Sequence, residues 1–141
     1  MSVLVVLDTN IVVSAGIKPT SHPARIVDAA LAGAIVPVLC PQISAEYVEV
    51  VNRPRFKRWK LPPLWLHALI AGAHHVDQDL PAWPAAGSDP DNLIFLALAH
   101  RTGAVLVTGN IADYPKGIRH GVTVMDPATY VRHLDSLGVR W

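Results

Sequence analysis

The sequence predicts an α/β domain built on a largely parallel sheet. Short apolar, β-branched runs alternate with longer segments of helical period, the pattern of consecutive βαβ units. Prolines recur where those helical segments should begin, at Pro41, Pro90 and Pro127. At 141 residues and 51% hydrophobic, the chain fits one compact domain, 1–141, with room for a real core.

The first strand, 3–7, reads VLVVL and is apolar enough to be buried on both faces. Asp8 follows it and is a favoured residue type to cap a helix beginning near Asn10. A second helix, 23–33, places Val27, Ala30, Leu31 and Ala34 on one face, with Gly33 suited to end it. The next strand, 35–39, closes on Cys40. A helix over 41–52 carries Ile43, Tyr47, Val50 and Val51 on its apolar stripe and stops at Arg53-Pro54. Pro62-Pro63 introduces a Leu- and Ala-rich helix over 64–73, and a short strand over 74–76 follows. The segment 80–88, rich in Ala, Pro and Gly, is a loop. Asp89 is the expected N-cap of a helix with Pro90 at its first position, Asp91 in its first turn and an end near Thr102. Strands over 104–108 and 122–125 complete the sheet, and Asp126 caps the last helix ahead of Pro127, running through Tyr130, Val131 and Leu134.

A net charge of +1 excludes coating of nucleic acid by bulk charge, so any polyanion contact must come from a local patch. The single cysteine, Cys40, excludes an internal disulfide and reads as a buried thiol suited to a reducing compartment. The opening MSVLVVLD is too short in apolar residues for a signal peptide or a membrane span, so a cytoplasmic location and no membrane partner are expected.

Four acidic residues stand where elements begin or end: Asp8, Glu46, Asp91 and Asp113. In an open parallel sheet, reactive groups gather beyond the carboxyl ends of the strands. Carboxylates far apart in sequence that map to one sheet edge point to a divalent-metal site. Each also has a plainer reading. Asp8 is a helix cap; Glu46, inside an apolar stripe where an unpaired charge costs on the order of several kcal/mol, is ion-paired with an arginine; Asp91 shares the cap with Asp89; Asp113 is a turn residue before Tyr114-Pro115. Glu49 lies off the stripe and reads as solvated surface.

Taken together, LDTN after the first strand, SAEY on the following helix, DPDN opening an apolar helix and VTGN-x-x-D after the fourth strand resemble the PIN-domain family, particularly its bacterial VapC-like toxins of toxin–antitoxin pairs. The resemblance runs from Leu7 to the closing DPATYVRHL. It implies a three-layer α/β/α sandwich with a mostly parallel sheet of about five strands, Mg²⁺ or Mn²⁺ as cofactor, and metal-dependent endoribonuclease activity. Asp8, Glu46, Asp91 and Asp113 match the family's acidic quartet, with Asp8 and Asp91 as principal ligands; Asn10, Thr108 and Asn110 match supporting polar positions. Many relatives have aspartate where Asn110 stands, which weakens a second metal position and makes a one-metal mechanism credible beside a two-metal one. The chemistry agrees, because oxygen-only donors favour Mg²⁺ or Mn²⁺ over zinc, and the seven histidines show no zinc spacing. The expected reaction is hydrolysis of an RNA phosphodiester by in-line attack of an activated water.

The run RPRFKRWK holds five of the twelve Lys and Arg residues: Arg53, Arg55, Lys57, Arg58 and Lys60, with Phe56 and Trp59 between them. Such a cluster can clamp phosphates while aromatics stack on unpaired bases, and Arg53, Arg55, Lys57, Arg58, Trp59 and Lys60 are the expected RNA contacts. Alternatively it is a solvated helix end whose aromatics pack on the core. The apolar stretch Leu64, Trp65, Leu66 is core, a homodimer seam or a groove for a cognate antitoxin. Two other functions are considered: a PIN-like module that binds RNA or protein without cutting, and a receiver-like signalling domain. The latter calls for adjacent acids after the first strand and Lys-Pro after the last, where this chain has DTN and MDP.

Overall fold

The computed structural model describes residues 3–84 and 90–141. Its sheet is built from β1 (Leu4–Leu7), β2 (Val36–Leu39), β3 (His74–His75), β4 (Val105–Val107) and β5 (Val124–Met125), in the order β3-β2-β1-β4-β5. Every neighbouring pair is parallel. β1 lies at the centre, which is why Val5, Val6 and Leu7 have no solvent exposure. The order differs from the 2-1-3-4-5 order of receiver-type sheets, and the receiver reading falls with it.

Successive side chains of a strand point to opposite faces, and the two cores follow that rule. Val6 and Leu106 face a core filled by Ile43 and Tyr47 of α3 (Pro41–Val51) and by Phe95, Leu96 and Leu98 of α5 (Pro90–Thr102). Val5, Leu7 and Val107 face the other core, with Ile26 and Ala29 of α2 (His22–Leu31) and Tyr130 and Leu134 of α6 (Pro127–Ser136). This is the expected three-layer α/β/α sandwich. Helix α1 (Thr9–Ile17) contributes Val12 to the first core and Ile11 to the second.

Two local expectations change. Leu31 is exposed, because α2 packs on both α1 and α6 and its buried arc follows Ala24, Ile26, Val27 and Ala29 instead. α4 is only Leu66–Ala71, with Leu64 98% exposed, Trp65 half-buried and Leu66 in the core, so the apolar stretch divides rather than forming one face. The basic run, which follows the expected stop of α3 at Arg53-Pro54, forms a 3-10 helix of its own, Pro54–Trp59. Asp126 caps α6 as expected, accepting the Thr129 N–H at 2.7 Å, and Pro127 takes the first turn where a missing N–H costs nothing. The expected cap Asp89 lies outside the described residues. Cys40 is a buried thiol whose pKa is pushed up by burial. Among the described residues no helix is long and apolar enough to cross a membrane.

Candidate active site

The direction of chain progression across the sheet reverses between β1 and β4, and a crevice opens beyond the carboxyl ends of strands at such a switch point. Asp8 stands there, one residue past β1, its N–H donating to Val107 O at 2.9 Å. It occupies the N-cap position of α1, as the plainer reading expects, but its side chain makes no capping hydrogen bond, so capping alone does not account for it. Its carboxylate turns toward the loop after β4 instead. Oδ2 accepts the Thr108 hydroxyl at 3.0 Å and the Tyr114 hydroxyl at 2.8 Å.

Asp8 is 6% exposed, and burial raises its pKa. The Tyr114 and Thr108 hydroxyls pull it back, the Asn10 amide adds a weaker attraction short of a cap, and the charge of Asp113 pushes it up again. Tyr114 is fully buried, and burial together with the neighbouring Asp8 charge drives its own pKa far up, so it stays a hydroxyl donor at any working pH.

The supporting polar residues lock this arrangement. The Thr108 hydroxyl, while donating to Asp8, accepts the Asn110 N–H at 3.1 Å and lies 3.4 Å from Asn10 Nδ2. Asn10 Oδ1 accepts the Gly109 N–H at 2.9 Å. A Cβ at position 109 would sit 3.2 Å from that oxygen, tight enough to explain a glycine between Thr108 and Asn110. The side chains of Asn10 and Thr108 therefore join the ends of β1 and β4 beside Asp8, whereas Asn110 takes part only through its backbone N–H and its side chain is exposed.

Glu46 comes to the same crevice from α3. It is half-buried and accepts the Thr9 hydroxyl. Burial raises its pKa, the Thr9 hydroxyl lowers it, and the charges of Asp91 and Asp8 raise it further; Arg53 offsets this only weakly. The expected arginine partner is engaged elsewhere, since Arg53 pairs with Glu49 at 2.8 Å on the exposed side of α3. Asp91, in the first turn of α5, completes the group. Asp8, Glu46 and Asp91 line one cleft of about 340 Å³, together with Thr9, Asn10, Arg53, Arg55, Asn92 and Phe95. A second hollow of about 360 Å³ shares Glu46, Arg53 and Asp91 with it and extends past Gln42 and Glu49.

Asp113 does not line this cleft; it ends a 3-10 turn, Ile111–Asp113, and reaches Asp8 through its charge. Arg53 and Arg55 border the cleft, whereas Lys57, Arg58, Trp59 and Lys60 lie along the exposed 3-10 helix beside it. Phe56 is buried under this run, with the Arg55 guanidinium 4.7 Å from its ring centroid, and Arg58 stacks on the half-exposed Trp59 at 4.6 Å. The plainer reading of RPRFKRWK therefore holds for Phe56, which packs in the core, and not for the half-exposed Trp59. Thr9, although part of the LDTN motif, and Tyr114 are not among the residues singled out from the sequence, yet their hydroxyls donate to Glu46 and Asp8. A wider hollow of about 520 Å³ sits at the opposite end of α5, but its Arg101 is bonded to Gln78 and its Asp77 is exposed, so it lacks the buried acid that marks the crevice.

The donors facing the cleft are all oxygens, which fits a hard divalent cation. Among the described residues no three Asp, Glu, His or Cys side chains stand close enough to chelate an ion as they are. Repulsion among the carboxylates opposes closer approach, and a cation would offset it.

The sequence profile described as "PIN domain" matches residues 4–112. No curated protein matches the chain at a significant level. Among solved structures, the fold is similar to that of VapBC2 from Rickettsia felis bound to a DNA fragment from their promoter, with a TM-score of 0.59 and 16% identity over 87% of this chain and 98% of that chain.

Proposed function

Because the chain belongs to the PIN-domain family, we propose that it is a divalent-metal-dependent endoribonuclease acting as the toxin of a toxin–antitoxin pair. The observation that carries this reading is a buried aspartate at the switch point of a parallel sheet, held by two hydroxyls and sharing a cleft with Glu46 and Asp91. Buried, mutually repelling carboxylates are costly to maintain for stability alone and are typical of sites that bind a cation.

Asp8 and Asp91 would hold Mg²⁺ or Mn²⁺, which when bound makes water a better nucleophile and offsets charge on the phosphoryl oxygens. Glu46, with its raised proton affinity, is suited to accept the proton of the attacking water, while Thr9 fixes its orientation. Asp113 adds negative potential behind Asp8, and an asparagine at position 110 leaves a second cation one carboxylate fewer to bind. Arg53 and Arg55 take the phosphates that flank the scissile bond, and Lys57, Arg58 and Lys60 extend that track with Trp59 available for stacking. The similar solved structure is named as a VapBC2 complex, which supports a cognate antitoxin as partner. The free thiol of Cys40 suits a cytoplasmic setting.

The test is cleavage of a mixed single-stranded and structured RNA pool by the purified protein with Mg²⁺ or Mn²⁺, and with EDTA in parallel. Cutting that stops in EDTA is expected. A second reading, an RNA-binding PIN module that does not cut, is favoured by the absence of a ready-made chelating trio among the described residues. RNA bound but uncut with either ion would establish it.

Arg55→Ala is expected to weaken RNA binding across sequences and to reduce the slope of log K against log salt by about 0.7–0.9, one phosphate contact. Filter binding at several salt concentrations measures this. An unchanged slope would remove Arg55 from the phosphate track.

A further inference from the structure

Tyr114 reaches the site from the loop after β4, and nothing in its sequence context marks it. The 3-10 turn at Ile111–Asp113 leads into Tyr114, Arg119 Nε donates to Tyr114 O at 2.7 Å, and the ring lies in the core with no exposure. The hydroxyl at the far end of that ring meets Asp8 Oδ2 at 2.8 Å. Thr108 donates to the same oxygen at 3.0 Å. Two donors converging from different segments on one carboxylate oxygen fix the rotation of the whole group, because turning it would break both bonds at once. With both lone pairs of Oδ2 so engaged, Oδ1 is the oxygen with capacity left for an incoming cation.

We infer that Tyr114 is a positioning residue of the metal site: together with Thr108 it clamps Asp8 Oδ2 so that Asp8 offers Oδ1 alone. This rests on the metal-dependent reading proposed above and specifies how the aspartate is presented. The ring supplies packing and the hydroxyl supplies orientation, so the two roles separate cleanly in Tyr114→Phe, which keeps the ring.

The experiment is titration of Mn²⁺ into RNA-free protein, followed by the electron paramagnetic resonance of unbound Mn²⁺, with melting of the EDTA-treated protein as the control for packing. Tyr114→Phe is expected to bind Mn²⁺ about 10-fold more weakly than wild type, in the range for loss of a group that orients a ligand. Thr108→Val is expected to do the same, and the double variant to lose less than the product of the two effects, since both act on one oxygen. Mn²⁺ affinity within about twofold of wild type in Tyr114→Phe, even with a lowered melting temperature, would show a hydroxyl that is structural only and would overturn the inference. Should Tyr114→Phe not fold, an unchanged affinity in Thr108→Val would overturn the clamp on Oδ2 by itself. Wild-type protein that takes up no Mn²⁺ would sink the metal-dependent reading as well, an outcome distinct from the others.

Discussion

Asp8→Asn is expected to lower metal-dependent RNA cleavage on the order of 10³-fold or more and, at neutral pH, to leave the metal-free protein more stable than wild type. The first effect follows from removing the charge of the most buried acid of the cleft while preserving its shape, since asparagine still accepts the Thr108 and Tyr114 hydroxyls through its one carbonyl oxygen. The second follows from the sign of the pKa shift. Burial raises the pKa of Asp8 above its ordinary value near 4, so the folded protein holds this proton when the unfolded chain has released it. The resulting stabilisation is fully present below the ordinary value and is lost as pH rises through the folded one. Glu46, also raised first by burial, adds a slope of the same sign. An asparagine side chain does not ionise, so the variant escapes the loss, and its melting temperature at pH 7 should exceed that of wild type. Thermal melts in EDTA from pH 4 to pH 7 check the crossing of the two curves. Parallel curves, or cleavage within tenfold of wild type, would remove Asp8 from the centre of the site.

Phe95→Ala is expected to lower folding stability by about 3–5 kcal/mol and to reduce cleavage even where the protein remains folded. Phe95 is 1% exposed and packs in the core between α5 and the sheet. It also lines the acidic cleft, one helical turn after Asp91, so the ring that anchors the start of α5 carries that carboxylate to the other two. Set against a total of about 5–15 kcal/mol for a domain, the loss is large. Urea denaturation gives the stability change, and cleavage rates at about 15 °C, where the variant holds its fold best, isolate the displacement of Asp91. A loss under about 1.5 kcal/mol would mean that the site collapses around the cavity and that α5 is anchored mainly by its later turns.

The sequence by itself determined the element types, the parallel sheet and the family, because those rest on features that repeat within a short window. Apolar runs such as VLVVL mark strands buried on both faces, prolines at 41, 90 and 127 mark helix starts, and Asp126 is legible as a cap because its acceptor and the Thr129 amide are neighbours. Asp8 and Asp91 were legible because each stands at the start of a helix beside an apolar run, and Glu46 because it interrupts the apolar stripe midway along α3. Tertiary structure alone decided what each acid touches. Asp8 reads locally as a cap, and only the pairing of β1 with β4 brings Thr108 and Tyr114, 100 and 106 residues away, to its carboxylate. Glu46 reads as an arginine's partner, and the packing of α1 against α3 gives it Thr9 instead, while Arg53 turns outward to Glu49. Periodicity records which face a residue takes along its own element. A hydrogen bond between elements depends on strand order and helix placement, which are set by the closure of the whole core.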